Sequence, residues 1–406
     1  MPALVRIFPN IIESLITMKV LFSTQSIVEY DGVHYYSNPI QATYKRYLTL
    51  GDRITVLCHV KKVEISHSDM IDDDAVEFCF INKINSLKSL IHYSKLNREV
   101  IESQVRDSDV CVIHTQNAHA FQVAHFCKKY EKPYLTVVGA CPWDALWNYD
   151  WRGKIVAPIA WLQLRRIQKD AHFSIYVTKE FLQKRYPTQG RTICCSNVNI
   201  HTGIDWILEN RITKISNLKD NGRFIKIGTA AAVDVPYKGQ KYVIQALGIL
   251  KQKGIIMEYH LIGKGSNSRL KRIAQQEGVE SQVFFHGAIP HSAVLQFLDE
   301  IDVYCQPSKQ EGLPRALIEA MSRGCYCMGS DVAGIPELLD PFCLFKKGDV
   351  NGIATLLIQV SQEKLLNSAK SNFEKAKEYD MDLLNNKRSS FIDLFRKEVL
   401  IKTRKR

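Results

Sequence analysis

Two kinds of periodicity alternate along this chain. Short apolar runs lie at Lys19 to Ser23, Ile54 to Cys58, Val110 to His114, Tyr134 to Val138 and Ser174 to Val177. Such runs predict buried strands. Between them, Pro39 to Leu50 and Ala118 to Tyr130 repeat their apolar residues at helical spacing. After a polar stretch from Thr202 to Gly222, expected to be a linker, a second series begins. Strands are predicted at Phe224 to Gly228, Glu258 to Gly263, Val283 to His286, Ile301 to Ser308 and Cys325 to Asp331, with helices at Gln240 to Lys253, Ser268 to Glu277 and Ser292 to Leu298. The tail carries an amphipathic stretch from Ser389 to Ile401. Strands alternating with helices argue for parallel sheets in an α/β fold. The chain therefore reads as two Rossmann-like domains facing across a cleft, with ligands expected at the carboxyl ends of the strands.

Composition narrows this reading. At 406 residues the chain exceeds one core of usual size. Its 46% hydrophobic and 24% charged residues suit a globular enzyme. No apolar run approaches the roughly eighteen residues that cross a bilayer. Met1 to Thr17 lacks a basic start and a small-residue cleavage site, so it reads as an extension rather than a signal peptide, with Met18 opening the first strand. The eleven cysteines form no C-x-x-C pair and no zinc spacing. They read as small core residues in a reduced cytosol.

The net charge of +12 calls for an explanation, and no nucleic-acid motif accounts for it. Between Arg152 and Arg191, nine Lys/Arg residues face only Asp170 and Glu180. There Ile155, Val156, Ile159, Ala160, Trp161 and Leu164 precede Arg165, Arg166 and Lys169. The pattern suits a helix lying on an anionic membrane surface. It equally suits a solvated basic face whose apolar side packs into its own domain.

The most informative stretch is Gln310-Glu311-Gly312-Leu313-Pro314-Arg315-Ala316-Leu317-Ile318-Glu319-Ala320-Met321. Seven residues separate the two glutamates. Pro314 fits a first helical position, Ala316, Leu317, Ala320 and Met321 form an apolar stripe, and Gly324 is the expected stop. A helix N-terminus behind a glycine offers N–H groups to an anion, and the carboxylates accept from hydroxyls. Those are the needs of a sugar joined to a nucleoside diphosphate. Upstream, Pro236-Tyr237-Lys238-Gly239-Gln240 sits between strand and helix, where Lys238 could clamp a diphosphate.

With Ser308 before it and Ser330-Asp331-Val332-Ala333-Gly334-Ile335-Pro336-Glu337 after it, this region closely resembles the E-x7-E signature of retaining GT-B glycosyltransferases of family 4, as found in bacterial surface-polysaccharide synthesis. The resemblance implies that Glu311 holds donor-sugar hydroxyls and Glu319 the ribose. It also implies that Lys238 and Gly239, with the Gly312-Leu313-Pro314 turn, bind the diphosphate. Leu261-Ile262-Gly263-Lys264-Gly265 resembles the G-x-G turn beside the nucleotide, and Phe284-Phe285-His286-Gly287 the segment reading the base edge. One departure stands out: Gly228-Thr229-Ala230-Ala231-Ala232 lacks the usual G-R arginine, for which Arg315 is a candidate substitute. The family's acceptor-side histidine is also absent at Val138-Gly139-Ala140-Cys141-Pro142-Trp143-Asp144. Asp144 or His114 could take its catalytic place, against the alternatives of a helix cap and a satisfied core group. Thr178-Lys179-Glu180 is expected to cap a helix.

The resemblance further implies domains over 18–205 and 206–375, and C-terminal helices (376–406) returning to the first domain. It implies hexose transfer to a glycan or lipid-linked acceptor at the cytoplasmic membrane face, with no metal or other cofactor. Asp72-Asp73-Asp74 reads as solvated rather than as a metal motif. A sugar-nucleotide epimerase or a non-catalytic binder of the same fold is the alternative.

Overall fold

The computed structural model describes residues 18–84, 87–218 and 225–404, so the expected extension over Met1 to Thr17 lies outside it. The first domain holds β1 (Lys19–Tyr30), β2 (Tyr35–Tyr36), β3 (Arg53–Lys62), β4 (Val76–Phe80), β5 (Val110–His114), β6 (Tyr134–Val138), β7 (Phe173–Tyr176) and β8 (Arg191–Cys194). They run in the order β4-β3-β1-β5-β6-β7-β8, all parallel, with the short β2 antiparallel to β1. Helices α1 (Leu87–Asp107), α2 (Ala120–Lys129), α3 (Pro142–Trp147), α4 (Trp151–Asp170) and α5 (Phe181–Arg185) connect them. β6 and β7 are buried along their whole length, so their sequence is mostly apolar without alternation, and their two polar side chains, Thr136 and Ser174, bond each other at 2.8 Å. Strand order reverses between β1 and β5, which opens a crevice at their carboxyl ends.

Two expectations need correction here. Pro39 to Leu50 is not one helix but a single turn, Asn38–Gln41, followed by a 3-10 turn, Tyr44–Tyr47. The Thr43 hydroxyl donates to the carbonyl of Pro39 at 2.7 Å, a local bond that competes with helix continuation. Nor does the first strand stop at Ser23. It continues to Tyr30 through an irregularity between Ser23 and Ile27, then turns back into β2. The Asp31 carboxylate holds that turn, accepting from Val33 N–H (2.8 Å), His34 N–H (2.7 Å) and the Tyr36 hydroxyl (2.7 Å).

The second domain is entered through α6 (Asp205–Ser216). This helix occupies most of the segment expected to be a linker. Ile207 and Ile215 are buried. The buried Arg211 guanidinium donates to the carbonyls of Leu298 (2.6 Å), Ile301 (2.6 Å) and Arg323 (2.9 Å). A polar segment thus becomes an ordered element because its charge has dedicated acceptors. β9 (Lys226–Ala230), α7 (Gln240–Gln252), β10 (Glu258–Ile262), α8 (Ser268–Gln276), β11 (Val283–Gly287), α9 (His291–Glu300), β12 (Val303–Gln306), α10 (Arg315–Ser322), β13 (Tyr326–Ser330), β14 (Leu344–Phe345), α11 (Val350–Ile358) and α12 (Gln362–Ala376) follow. Their sheet is fully parallel, in the order β11-β10-β9-β12-β13-β14, and reverses between β9 and β12.

The last helix, α13 (Met381–Arg404), returns to the first domain. Phe391 and Phe395 pack against Phe173 with tilted rings, centroids 5.1 and 5.0 Å away, Arg388 donates to the Ser196 carbonyl (2.7 Å), and Glu398 pairs with Arg191 (2.8 Å). Asp73 is half-buried rather than solvated: it accepts from the Tyr44 hydroxyl (2.7 Å) and Ala75 N–H (3.0 Å). The cysteines are all unpaired, and nine of the eleven are buried.

Candidate active site between the two domains

The loops after β9 and β12, on either side of the second sheet's reversal, meet at one place. A 3-10 turn, Pro236–Lys238, leads into Gly239, whose φ of +77° is open to glycine without strain. A Cβ there would lie 1.8 Å from the Pro307 carbonyl oxygen, so the two loops touch backbone to backbone. This contact brings Lys238 beside Glu311. Lys238 Nζ donates to Glu311 Oε1 at 2.7 Å, joined by Ser308 Oγ (2.7 Å) and Gln306 Nε2 (3.0 Å). Gln306 is itself oriented by the buried Tyr304 hydroxyl at 2.9 Å. All three donors use Oε1; no bond to Oε2 occurs among the described residues. One carboxylate oxygen is thereby locked while the other is available to hydroxyl donors.

Pro314 is extended (ψ 113°), so it caps α10 rather than occupying its first turn, which begins at Arg315. Gly312 lies directly against the first domain: a Cβ on it would stand 2.0 Å from the Gly139 carbonyl oxygen. Gly334 N–H donates to the Gly312 carbonyl (3.0 Å), so the Gly-Ile-Pro-Glu block supports this turn from behind. Leu313 is buried, and Glu319 is buried on the inward face of α10 at 8% exposure. Arg315 is exposed and does not line the cleft cavity.

Gly263, Gly265 and Gly287 gather at the same rim. Gly263 N–H donates to the Gly287 carbonyl at 2.8 Å. Side chains at Gly263 and Gly265 would meet the Ala231 carbonyl oxygen (2.0 Å) and the Asp234 carboxylate (2.3 Å) of the loop after β9. His286 bonds His260 at 3.0 Å and stacks on it.

The first domain supplies the opposite wall. A cavity of about 660 Å³ runs between the domains, with Lys238, Glu311 and Gly312 on one side. Gln25, at the irregularity within β1, and Gln116 and Asn117, just after β5, bring amides, and α4 adds Ala160, Gln163 and Leu164. The Gln116 amide, turned with its oxygen toward the backbone, accepts from Gly139 (2.7 Å) and Ala140 (3.1 Å) N–H. Sequence reasoning did not single out these three amides. The signal for Gln116 and Asn117 was positional: they follow β5, one of the two strands that flank the reversal of strand order, whereas Gln25 lies inside β1.

The two acceptor-side candidates lie apart from this lining. The His114 ring packs against Phe22 and Tyr47, and Nε2 is bonded to the Tyr47 hydroxyl at 2.9 Å. Burial, then the charge of Arg46, pulls its pKa down to about 3. Asp144 sits in the first turn of α3, with its carboxylate 3.4 Å from Arg185. Neighbouring Cys141, Pro142, Ala145 and Leu146 reach the cavity, but Asp144 does not.

A bond set across the domains was not foreseen. Glu337, from the Gly-Ile-Pro-Glu block, accepts from the N–H groups of Lys179 (2.5 Å), Glu180 (3.1 Å) and Phe181 (2.8 Å) at the start of α5. The expected Thr178-Lys179-Glu180 cap is therefore shared. Thr178 Oγ1 accepts from Leu182 N–H (3.0 Å), and the carboxylate comes from the other domain. His201, Asp380 and Asp382 are spaced to hold a cation, but they stand where α13 begins and do not line the cleft cavity.

Comparison with known proteins agrees with this geometry. Residues 203–379, the domain carrying Lys238, Glu311 and Glu319, match the family described as glycosyl transferases group 1. Protein CapJ of Staphylococcus aureus is 31% identical over 348 residues, 84% of this chain and 85% of its own length. The chain is a member of the glycosyl transferases group 1 family. The transferase is also 36% identical to the amylovoran biosynthesis glycosyltransferase AmsK of Erwinia amylovora, over 31% of this chain and 33% of AmsK. Anabaena HepE, solved in complex with UDP-glucose, superposes on 93% of the transferase and 99% of HepE at a TM-score of 0.61 and 16% identity. The fold is GT-B. None of the described helices of this glycosyltransferase is long and apolar enough to cross a membrane.

Proposed function

We propose that this glycosyltransferase moves a hexose or related sugar from a nucleoside-diphosphate donor to a glycan or lipid-linked acceptor in surface-polysaccharide synthesis, with retention of the anomeric configuration, as a member of family 4. The observation that carries the reading is the Lys238–Glu311 pair held by Gln306 and Ser308 at the cavity wall. HepE lends support to the donor class. In this reading the donor diphosphate draws Lys238 from Glu311, which then meets the sugar hydroxyls with Oε2. As the bond to the sugar breaks, charge accumulates on the departing diphosphate. Lys238 and the amides of Gly312 and Leu313, ahead of α10, stabilise that charge. Glu319 accepts from the ribose hydroxyls. A lysine and a helix N-terminus together supply what a divalent cation would otherwise provide, so turnover is independent of added metal. Asp144 or His114 serves the acceptor only if the acceptor draws it from its present partner. On the acceptor wall, Gln25 and Gln116 are the groups positioned to bond sugar hydroxyls, while the Asn117 amide is held by Ser23, the His114 carbonyl and His119 N–H.

A mass-spectrometric screen of nucleotide sugars against extracted lipid-linked glycans tests this. The expected result is one donor giving an acceptor heavier by a single glycosyl unit, with undiminished rate in EDTA. Donor hydrolysis alone with every acceptor, or a rate that Mg²⁺ restores after EDTA, would overturn the corresponding part.

A further inference from the structure

Helix α4 carries two different surfaces. Its inner face, through Ala160, Gln163, Leu164 and Ile167, lines the cleft cavity. Its outer face leaves Trp151 (66%), Ile155 (64%), Ile159 (54%) and Leu162 (46%) exposed at i, i+4, i+8 and i+11. Trp147 and Tyr149, just before it, are exposed as well. A contiguous apolar stripe of this kind marks a contact surface on a soluble domain.

Cations frame the stripe. Arg152 lies over Trp151 (5.4 Å), Lys154 over Trp147 (5.9 Å) and Arg165 over Trp161 (4.8 Å), while Arg166 and Lys169 extend the face toward the helix end. The two acids at the helix ends are already engaged: Asp150 caps the helix through Gly153 N–H (2.7 Å), and Asp170 pairs with Lys128 (2.9 Å). Four of the five tryptophans of the chain fall between Trp143 and Trp161. Indole rings, aliphatic side chains below them and flanking cations are the chemistry of the boundary between lipid headgroups and acyl chains.

We infer that the α3–α4 corner, Trp147 to Lys169, docks the enzyme on an anionic lipid bilayer. A second copy of the chain fits this surface poorly, because a two-fold contact would set the cations of one helix, Arg152, Lys154 and Arg165, among those of the other. Val156 belongs both to the exposed face and to the cavity lining, so the docked face adjoins the mouth of the cleft. An amphiphilic acceptor could then present its head to Lys238 and Glu311 while its apolar tail stays in the membrane. The surface itself does not depend on the donor chemistry, and the affinity of each variant for UDP reports on the cleft separately.

The test is co-sedimentation of the full chain with vesicles of phosphatidylcholine alone or with a quarter phosphatidylglycerol, at low and physiological salt. Wild type is expected to pellet with the anionic vesicles, less so as salt rises. Arg165→Glu/Arg166→Glu/Lys169→Glu should lower partitioning by at least on the order of a hundredfold. Ile155→Ser/Ile159→Ser should also lose binding, with melting temperature within a few degrees of wild type because these side chains are already exposed. Failure of wild type to pellet at low salt would overturn the inference, as would equal binding by both variants. A wild-type dimer that Ile155→Ser/Ile159→Ser dissolves, without vesicle binding, would assign the face to self-association instead.

Discussion

A histidine at the end of a strand near a cleft can be a catalyst or a core residue, and His114 shows what separates the two. Its ring is enclosed by Phe22 and Tyr47, and its bonded nitrogen faces Tyr47. With a folded pKa near 3 against about 6.5 unfolded, the unfolded chain binds the extra proton between those values. The stabilising contribution of the neutral ring is therefore complete above about pH 6.5 and is lost as pH falls toward 3. His119, brought down to about 4 by burial and then by His59, acts in the same direction. Thermal melts of wild type and His114→Gln from pH 7.5 to 4.5 should show a shallower acid decline in the variant, even if it starts lower. Parallel declines would show that His114 titrates normally. This placement was not legible in the sequence, because enclosure by Phe22 and Tyr47 comes from elements about 70 to 90 residues away. The glutamates were legible, since Glu311 and Glu319 stand within one local turn-and-helix whose spacing already fixes their relation.

At the level of elements, strands β5 and β6 begin and end where their apolar runs do, because both faces are buried; the one polar residue inside them, Thr136, is bonded to Gln168 and Ser174. Segments whose order depends on distant acceptors could not be read that way. α6 looked like a linker because its cations Arg211 and Lys214 are satisfied by distant groups, among them the carbonyls of Leu298, Ile301 and Arg323, which no local pattern announces. The stretch from Pro39 to Leu50 kept a helical period yet broke at Thr43, where one hydroxyl bond redirects the backbone. Gly239 and Gly312 were legible as turn residues. That each lets one loop touch another within van der Waals contact follows only from the assembled domains.

At the scale of the whole molecule, the two domains are tied by α13, by the Gly139–Gly312 contact and by Glu337 at the start of α5. A carboxylate bonding three N–H groups at a helix start acts as an N-cap, and loss of such a cap costs about 0.5–2 kcal/mol. Here the carboxylate and the helix belong to different domains, so that cost falls on the closed arrangement. Glu337→Ala should enlarge the radius of gyration measured by X-ray scattering and raise KM for the donor several-fold, while both domains stay folded. An unchanged radius and KM would show that Glu337 is incidental to closure. The central claim concerns the cleft wall itself, where Lys238 and Glu311 meet. The most direct measurement is steady-state sugar transfer by Lys238→Met, using the donor and acceptor found by screening, beside circular dichroism of the same preparation. The account predicts a loss of roughly 10²–10³ in kcat/KM, the scale for removing one charge-stabilising donor, with an unaltered spectrum. Transfer within a few-fold of wild type would contradict it.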